Sequence, residues 1–215
     1  MKVISVNIGH AQRIETAKST DLTGIFKMPS ASSVYVTSLG LEGDAVCDVK
    51  HHGGVDQAVY VYGEPDYRWW SIELGRELHP GTFGENVTIS GLESAALSIG
   101  DRLHAGEVIL EVTAPRIPCA TLAARMGDPQ FVKRFRHAER PGLYCRVIRE
   151  GHIQAGEPVR LESYAGETIT VLEMFRDFYD RDWDEARLRR HLAAPIAVRD
   201  RIERTEQLNE LLAGG

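Results

Sequence analysis

Residues 103–119 read LHAGEVILEVTAPRIPC. Leu103 to Val112 forms two strands around Ala105-Gly106, because aliphatic and β-branched residues flank a turn-forming glycine. Pro115 and Pro118 then force an exit: proline fixes φ, lacks an N–H and cannot extend a central ladder. Cys119 therefore falls at or near the start of the next element, CATLAARM over 119–126, which reads as a helix.

The same grammar extends in both directions. Lys2 to Ile8, Ala31 to Leu39 and Ala58 to Tyr62 read as strands on alternation and β-branched or aromatic content. Leu143 to Ile148 and His152 to Gln154 flank Arg149-Glu150-Gly151 as an expected hairpin, and Val159 to Glu162 adds a last short strand. Two helices interrupt: Pro65 to Leu78, and Cys119 to Met126, which continues after Gly127 into Pro129 to His137 as a helix pair or one broken helix. Short strands separated by glycine and proline favour a barrel or sandwich. The expected fold is mainly β with α+β character: a strand-rich, barrel-like domain over 1–165.

From about Thr168 the apolar spacing becomes helical, over Val171 to Tyr179, Trp183 to Leu192 and Ile196 to Leu212. Asp182 or Asp184 can cap the middle helix and Pro195 can open the last. This predicts a three-helix appendage over 166–215, whose short helices need packing partners to be stable.

The chain has 215 residues, 43% hydrophobic and 26% charged, with a net charge of −6. That balance is globular and argues against a nucleic-acid polymer as partner, which calls for a basic face. The N-terminal MKVISVNIGHAQ has no long apolar region, and no apolar run approaches a membrane span. With only three cysteines and no CxxC, the expectation is a cytoplasmic protein with reduced thiols and no membrane partner. No GxSxG, Walker loop, HExxH or strand-linked GxGxxG occurs.

Three patches hold the residue types of a binding site. In the first, Gly40-Leu41-Glu42-Gly43-Asp44 leads to His51-His52-Gly53-Gly54-Val55-Asp56-Gln57-Ala58. Gly53-Gly54 lets backbone N–H groups approach an anion, or simply makes a turn. Lys50 and His52 would add charge or hydrogen bonds. His51-His52 is not a zinc motif, since adjacent residues in an extended chain face opposite sides. In the second patch, Gly81-Thr82-Phe83-Gly84-Glu85-Asn86-Val87-Thr88, Asn86 and Thr88 can bond a heterocycle or phosphate and Glu85 an amide edge. The alternative is a hairpin turn with Phe83 in the core. The third patch is Pro115 to Cys119. Unpaired N–H groups at a helix start, together with Arg116, favour the thiolate of Cys119, the form that binds a metal or attacks carbon. A buried packing cysteine is the alternative there. Cys145, inside an alternating strand, reads as packing, and Cys47 has no assignment.

The patches in this order resemble the MOSC domain, related to the C-terminal part of molybdenum cofactor sulfurases, and within it the stand-alone bacterial YiiM-type branch. The resemblance rests on the residues at 40–44, 52–59, 81–86 and 115–119 together with Gly100-Asp101. The segment after 166 resembles the three-helix extension of that branch. The resemblance implies a molybdenum cofactor (molybdopterin, Mo) in a cleft, with Cys119 as metal ligand and catalytic residue. Lys50, His52, Gly53, Gly54, Asn86 and Arg116 match cofactor-binding positions. It further implies reduction of small N-hydroxylated substrates, such as hydroxylaminopurine base analogues, to amines. An external electron-donor reductase would return two electrons, and this chain carries no flavin or NAD fingerprint of its own. Asp56 or Glu85 would orient ligands or assist proton transfer.

Two other roles compete. One is a carrier or sulfur-transfer module for the cofactor, although 215 residues leave no room for a PLP-dependent desulfurase domain. The other is a redox-inert partner-binding module, marked by an exposed patch on Trp183, Leu188, Leu192 and Leu208. Those residues would otherwise bury the appendage against the barrel. A homodimer is compatible with either.

Overall fold

The computed structural model describes residues 1–16, 20–48 and 53–214. The chain opens with β1 (Val3–Ile8), a hairpin of β2 (Gln12–Glu15) and β3 (Thr20–Thr23), and the short β4 (Met28–Pro29), β5 (Val34–Thr37) and β6 (Gly40–Leu41). Next come β7 (Val59–Gly63), α1 (Glu64–Leu74), β8 (Val87–Ile89), β9 (Arg102–Ala105) and β10 (Val108–Pro115). After α2 (Ala120–Met126) and α3 (Phe131–Ala138), β11 (Leu143–Arg149), β12 (Gly151–Ile153) and β13 (Val159–Glu162) complete the strands. The helices α4 (Val171–Asp177), α5 (Glu185–Ala193) and α6 (Val198–Gly214) follow.

Among the described residues, eight strands form one sheet in the order β13-β9-β10-β11-β7-β8-β1-β4. Its pairs are antiparallel except β7 with β8. The sheet bends back on itself. Lys2 bridges Pro158, and the Val3 and Val159 N–H groups bond Glu157 O at 2.8 Å and Met1 O at 2.9 Å. The start of β1 thus meets the entry to β13, and closure removes the open edges that invite misassembly. The fold is mixed α+β and strand-rich.

An aromatic cluster fills the space between barrel and helices. Trp70 of α1, Phe83, and Phe131 and Phe135 of α3 are fully buried. Tyr62 stacks on Phe83 with centroids 4.7 Å apart, and Trp70 on Phe135 at 5.9 Å. Phe83 therefore sits in the core, in a turn closed by the Gly84 N–H on Gly81 O at 3.0 Å.

The structure corrects several expectations. The hairpin around Arg149-Glu150-Gly151 does not form. β12 leaves the barrel and pairs with β5 in a separate sheet with β6, its path set by the His152 N–H on Glu107 Oε2 at 3.0 Å. Helix α1 stops at Leu74 rather than Leu78, because Gly75 takes the left-handed conformation and caps it. β10 runs on to Pro115, at its very end, where the missing N–H disturbs least. The β2–β3 hairpin was not foreseen.

The C-terminal helices are docked by polar ties. Asp184, not Asp182, caps α5. Helix α6 begins at Val198, whose N–H bonds Asp56 Oδ2 at 2.7 Å. Arg146 of β11 reaches Asp56 at 2.8 Å and the carbonyls of Pro195 and Ile196 at 3.3 and 3.0 Å. Leu188 and Leu208 are buried, so the apolar patch expected of a partner-binding module is not exposed at these positions. No helix among the described residues is long and apolar enough to cross a membrane.

Candidate functional site

Past Pro115 the chain turns inward. Arg116 is only 4% exposed, with Nη1 donating to Phe83 O at 2.7 Å and the guanidinium 5.1 Å from the Tyr60 ring centroid. Burial opposes this charge, yet the ionisable Tyr60, Tyr144 and Cys119 around it raise the Arg116 pKa. Its Nε is buried with no partner among the described residues. An orphaned donor on a cation is costly unless a ligand takes it up.

Cys119 is the residue before the first turn of α2, in an extended conformation with φ −127°. Its carbonyl accepts the Ala123 N–H at 3.2 Å, while the half-buried side chain caps nothing. Cys119 borders a cleft of about 560 Å³, together with Lys27, Gly53, Gly84, Asn86 and Arg116.

The three sequence patches are joined under this cleft. Asp44, from the first, accepts the Gly9 N–H at 2.8 Å, pairs with Lys27 at 2.5 Å and accepts from Asn86 Nδ2 at 2.9 Å. Asn86, from the second, also takes the Tyr60 N–H on Oδ1 at 3.1 Å. Its amide is spent on the protein, so it shapes the wall rather than offering free hydrogen bonds. The second patch also supplies the Phe83 carbonyl that holds Arg116 of the third. Gly53 and Gly84 have φ of +76° and +77°, and a Cβ on either would press within 2.8 Å of Val46 or 2.7 Å of Ile25. Only glycine fits such positions without strain.

Of the residues singled out from sequence, Gly53, Asn86, Arg116 and Cys119 converge on the cleft. Gly54 is exposed and does not line it. Lys50 and His52 lie outside the described residues. Asp56 ties β11 to α6. Glu85 is buried beneath the cleft, its Oε1 accepting from Tyr67 at 2.6 Å, Gly81 N at 2.6 Å and Thr88 at 2.8 Å. Burial nevertheless raises its pKa, against those hydrogen bonds. Lys27 and the hub role of Asp44 were missed. Asp44 stood in a quoted motif; Lys27 sits in a loop with no periodicity to flag it. Burial lowers the Lys27 pKa, and Asp44 works in the opposite sense.

A second cavity of about 500 Å³ opens between the barrel and α4–α6. Cys119, Thr121, Tyr144, Gln57 and Asp48 line both cavities. Cys119 thus stands at their junction.

Comparison with known proteins agrees with this arrangement. The family model for the MOSC domain matches residues 48–160. The protein YflK of Bacillus subtilis is 36% identical over 169 residues, 79% of this chain and 76% of that one. A protein of Gibberella moniliformis named "Reductase" is 32% identical over 143 residues, 65% of this chain but 25% of that longer protein. The crystal structure of YiiM from Geobacillus stearothermophilus superposes with a TM-score of 0.78 at 26% identity, covering 96% of this chain and 98% of that one. With the family model matching over half of the chain and the three motif patches converging on one cysteine-bearing cleft, the chain belongs to the MOSC domain family.

Proposed function

We propose that this protein holds a molybdenum cofactor through the Cys119 thiolate and reduces N-hydroxylated compounds to amines with electrons from a separate reductase. The observation that carries the reading is the place of Cys119: a half-buried cysteine at the junction of two cavities, one lined by a buried arginine with an unpaired donor. The residues present fit such a group. A single soft sulfur suits molybdenum, a cleft of about 560 Å³ is of cofactor size, and Arg116 and Lys27 suit the anionic part of a pterin phosphate. Lys50 and His52 join this pocket by resemblance alone. The relative named "Reductase" supports the reaction class.

When bound, the metal supplies the two-electron chemistry. The reaction breaks one N–O bond: the substrate R–NHOH takes two electrons and two protons and leaves as R–NH2 and water. The chain's own residues orient and shield. Cys119 ligates, Arg116 keeps its charge beside the sulfur, and the buried Tyr60 and Tyr144 stay protonated because burial raises their pKa values. Electrons must come from outside, because no flavin or nicotinamide fingerprint occurs in the sequence.

The test is anaerobic turnover of hydroxylaminopurine by cofactor-loaded protein with a chemical reductant. Stoichiometric adenine, lost at least about a hundredfold in Cys119→Ala, is the expected result, in line with removal of a group on which the chemistry depends. Loaded protein that forms no adenine would point to a carrier instead.

A further inference from the structure

Cys47 has no part in the function proposed above, yet it lines the cofactor cleft together with Cys119. The two cysteines come from distant parts of the chain, and both are half-buried. Reactive cysteines are partly exposed and stand beside a cation, whereas sealed ones are inert. Cys47 and Cys119 meet both conditions: Cys47 acts electrostatically on the Lys27 ammonium, and Cys119 on the Arg116 guanidinium. Cys145 is fully buried and fails the first.

The loop that carries Cys47 passes the place where Cys119 stands. Asp48, the next residue, lines both cavities, as Cys119 does. The loop is anchored upstream, where Asp44 pairs with Lys27 at 2.5 Å and the Ala45 N–H bonds Gly9 O at 2.8 Å. From Asp44 to Asp48 it contains neither helix nor strand, and Cys47 makes no hydrogen bond among the described residues. Its side chain can therefore turn toward the start of α2 without breaking one. A disulfide needs that freedom, because the two Cα atoms must come within about 7 Å.

We infer that Cys47 and Cys119 form a redox-active pair, oxidised by a low-molecular-weight disulfide to an internal disulfide across the cleft. The chemistry is two thiol–disulfide exchanges. One protein sulfur attacks the small disulfide, which forms a mixed disulfide and expels one small thiol. The second protein sulfur then attacks the bonded protein sulfur, the Cys47–Cys119 bond forms, and the second small thiol leaves. The protein gives up two electrons and two protons, and all of them end on the two small thiols. While the bond lasts, Cys119 has no thiol to offer a metal, so the cleft accepts its cofactor only after reduction. That consequence rests on the function proposed above; the disulfide does not.

The test is incubation of the full-length, cofactor-free protein with hydroxyethyl disulfide, an uncharged probe, followed by alkylation, digestion and mass spectrometry. Of the three thiols, the wild type should lose two, as a Cys47–Cys119 linked peptide within one chain that dithiothreitol separates. Cys145 should react only after denaturation. Cys47→Ser keeps the size and polarity of the side chain, should melt as wild type does, and should stop at a mixed disulfide on Cys119. Wild-type protein that also stops at mixed disulfides, keeps both thiols free, or links two chains instead overturns the pair. A linked pair in a protein whose molybdenum does not depend on Cys119 would sink the proposed function and leave the pair standing.

Discussion

Glu85 shows at the level of one residue how the cleft is supported. Its carboxyl is fully buried, with three donors on Oε1 and none on Oε2, and burial raises its pKa above 4.5. A raised folded-state pKa means that this group's contribution to stability is complete below about 4.5 and is lost as pH rises through the folded value. Glu85→Gln keeps an acceptor for the three donors and cannot ionise. The unfolding free energy of wild type relative to Glu85→Gln should therefore fall as pH rises from 4.5, by denaturant titration of both proteins. A difference that stays flat or grows with pH contradicts the assignment. At this scale the sequence was informative where a residue broke a pattern: Arg116 stands between two prolines at a strand exit, and Cys119 directly follows the second. Cys145 read as packing, and it is fully buried with its thiol pushed up by burial. Lys27 was silent, because its role depends on Asp44, which the fold brings to it from a distant loop.

At the scale of elements, local rules decided the outcome where local interactions dominate. Thr170 and Glu173 form a reciprocal capping box at the start of α4, which lays Val171, Met174 and Phe175 against the barrel. Thr170→Ala should cost about 1 kcal/mol of unfolding free energy, while Thr170→Ser should recover most of it. A Thr170→Ala protein as stable as wild type would show that packing alone sets this helix. The β9–β10 hairpin was legible because Gly106 separates two aliphatic runs. Strand β12 was not, since its partner β5 lies more than a hundred residues away, and a short run after Gly151 looks the same whichever strand it pairs with. The β2–β3 hairpin carries little apolar signal, with Ile14 the buried side chain of β2, yet Leu22 and Thr23 of β3 edge the cleft.

Across the whole molecule, closure of the sheet at Lys2 and Pro158 creates one end where the loops after β3, β6 and β10 meet. That meeting could be foreseen only as a set of motifs, because barrel closure brings 24, 44, 53, 84 and 119 together and no local pattern encodes it. The helical segment, legible as three amphipathic runs, gave no hint that its inner face would wall a cavity sharing Cys119. The account as a whole rests on that sulfur as a metal ligand. Its most direct test is molybdenum and pterin content per chain, measured side by side for wild-type and Cys119→Ala protein produced in cells with full cofactor supply. Near-stoichiometric molybdenum in the wild type and a loss of about tenfold or more in Cys119→Ala are predicted, as expected when a metal site loses its protein ligand. Equal molybdenum in the two proteins would contradict the account.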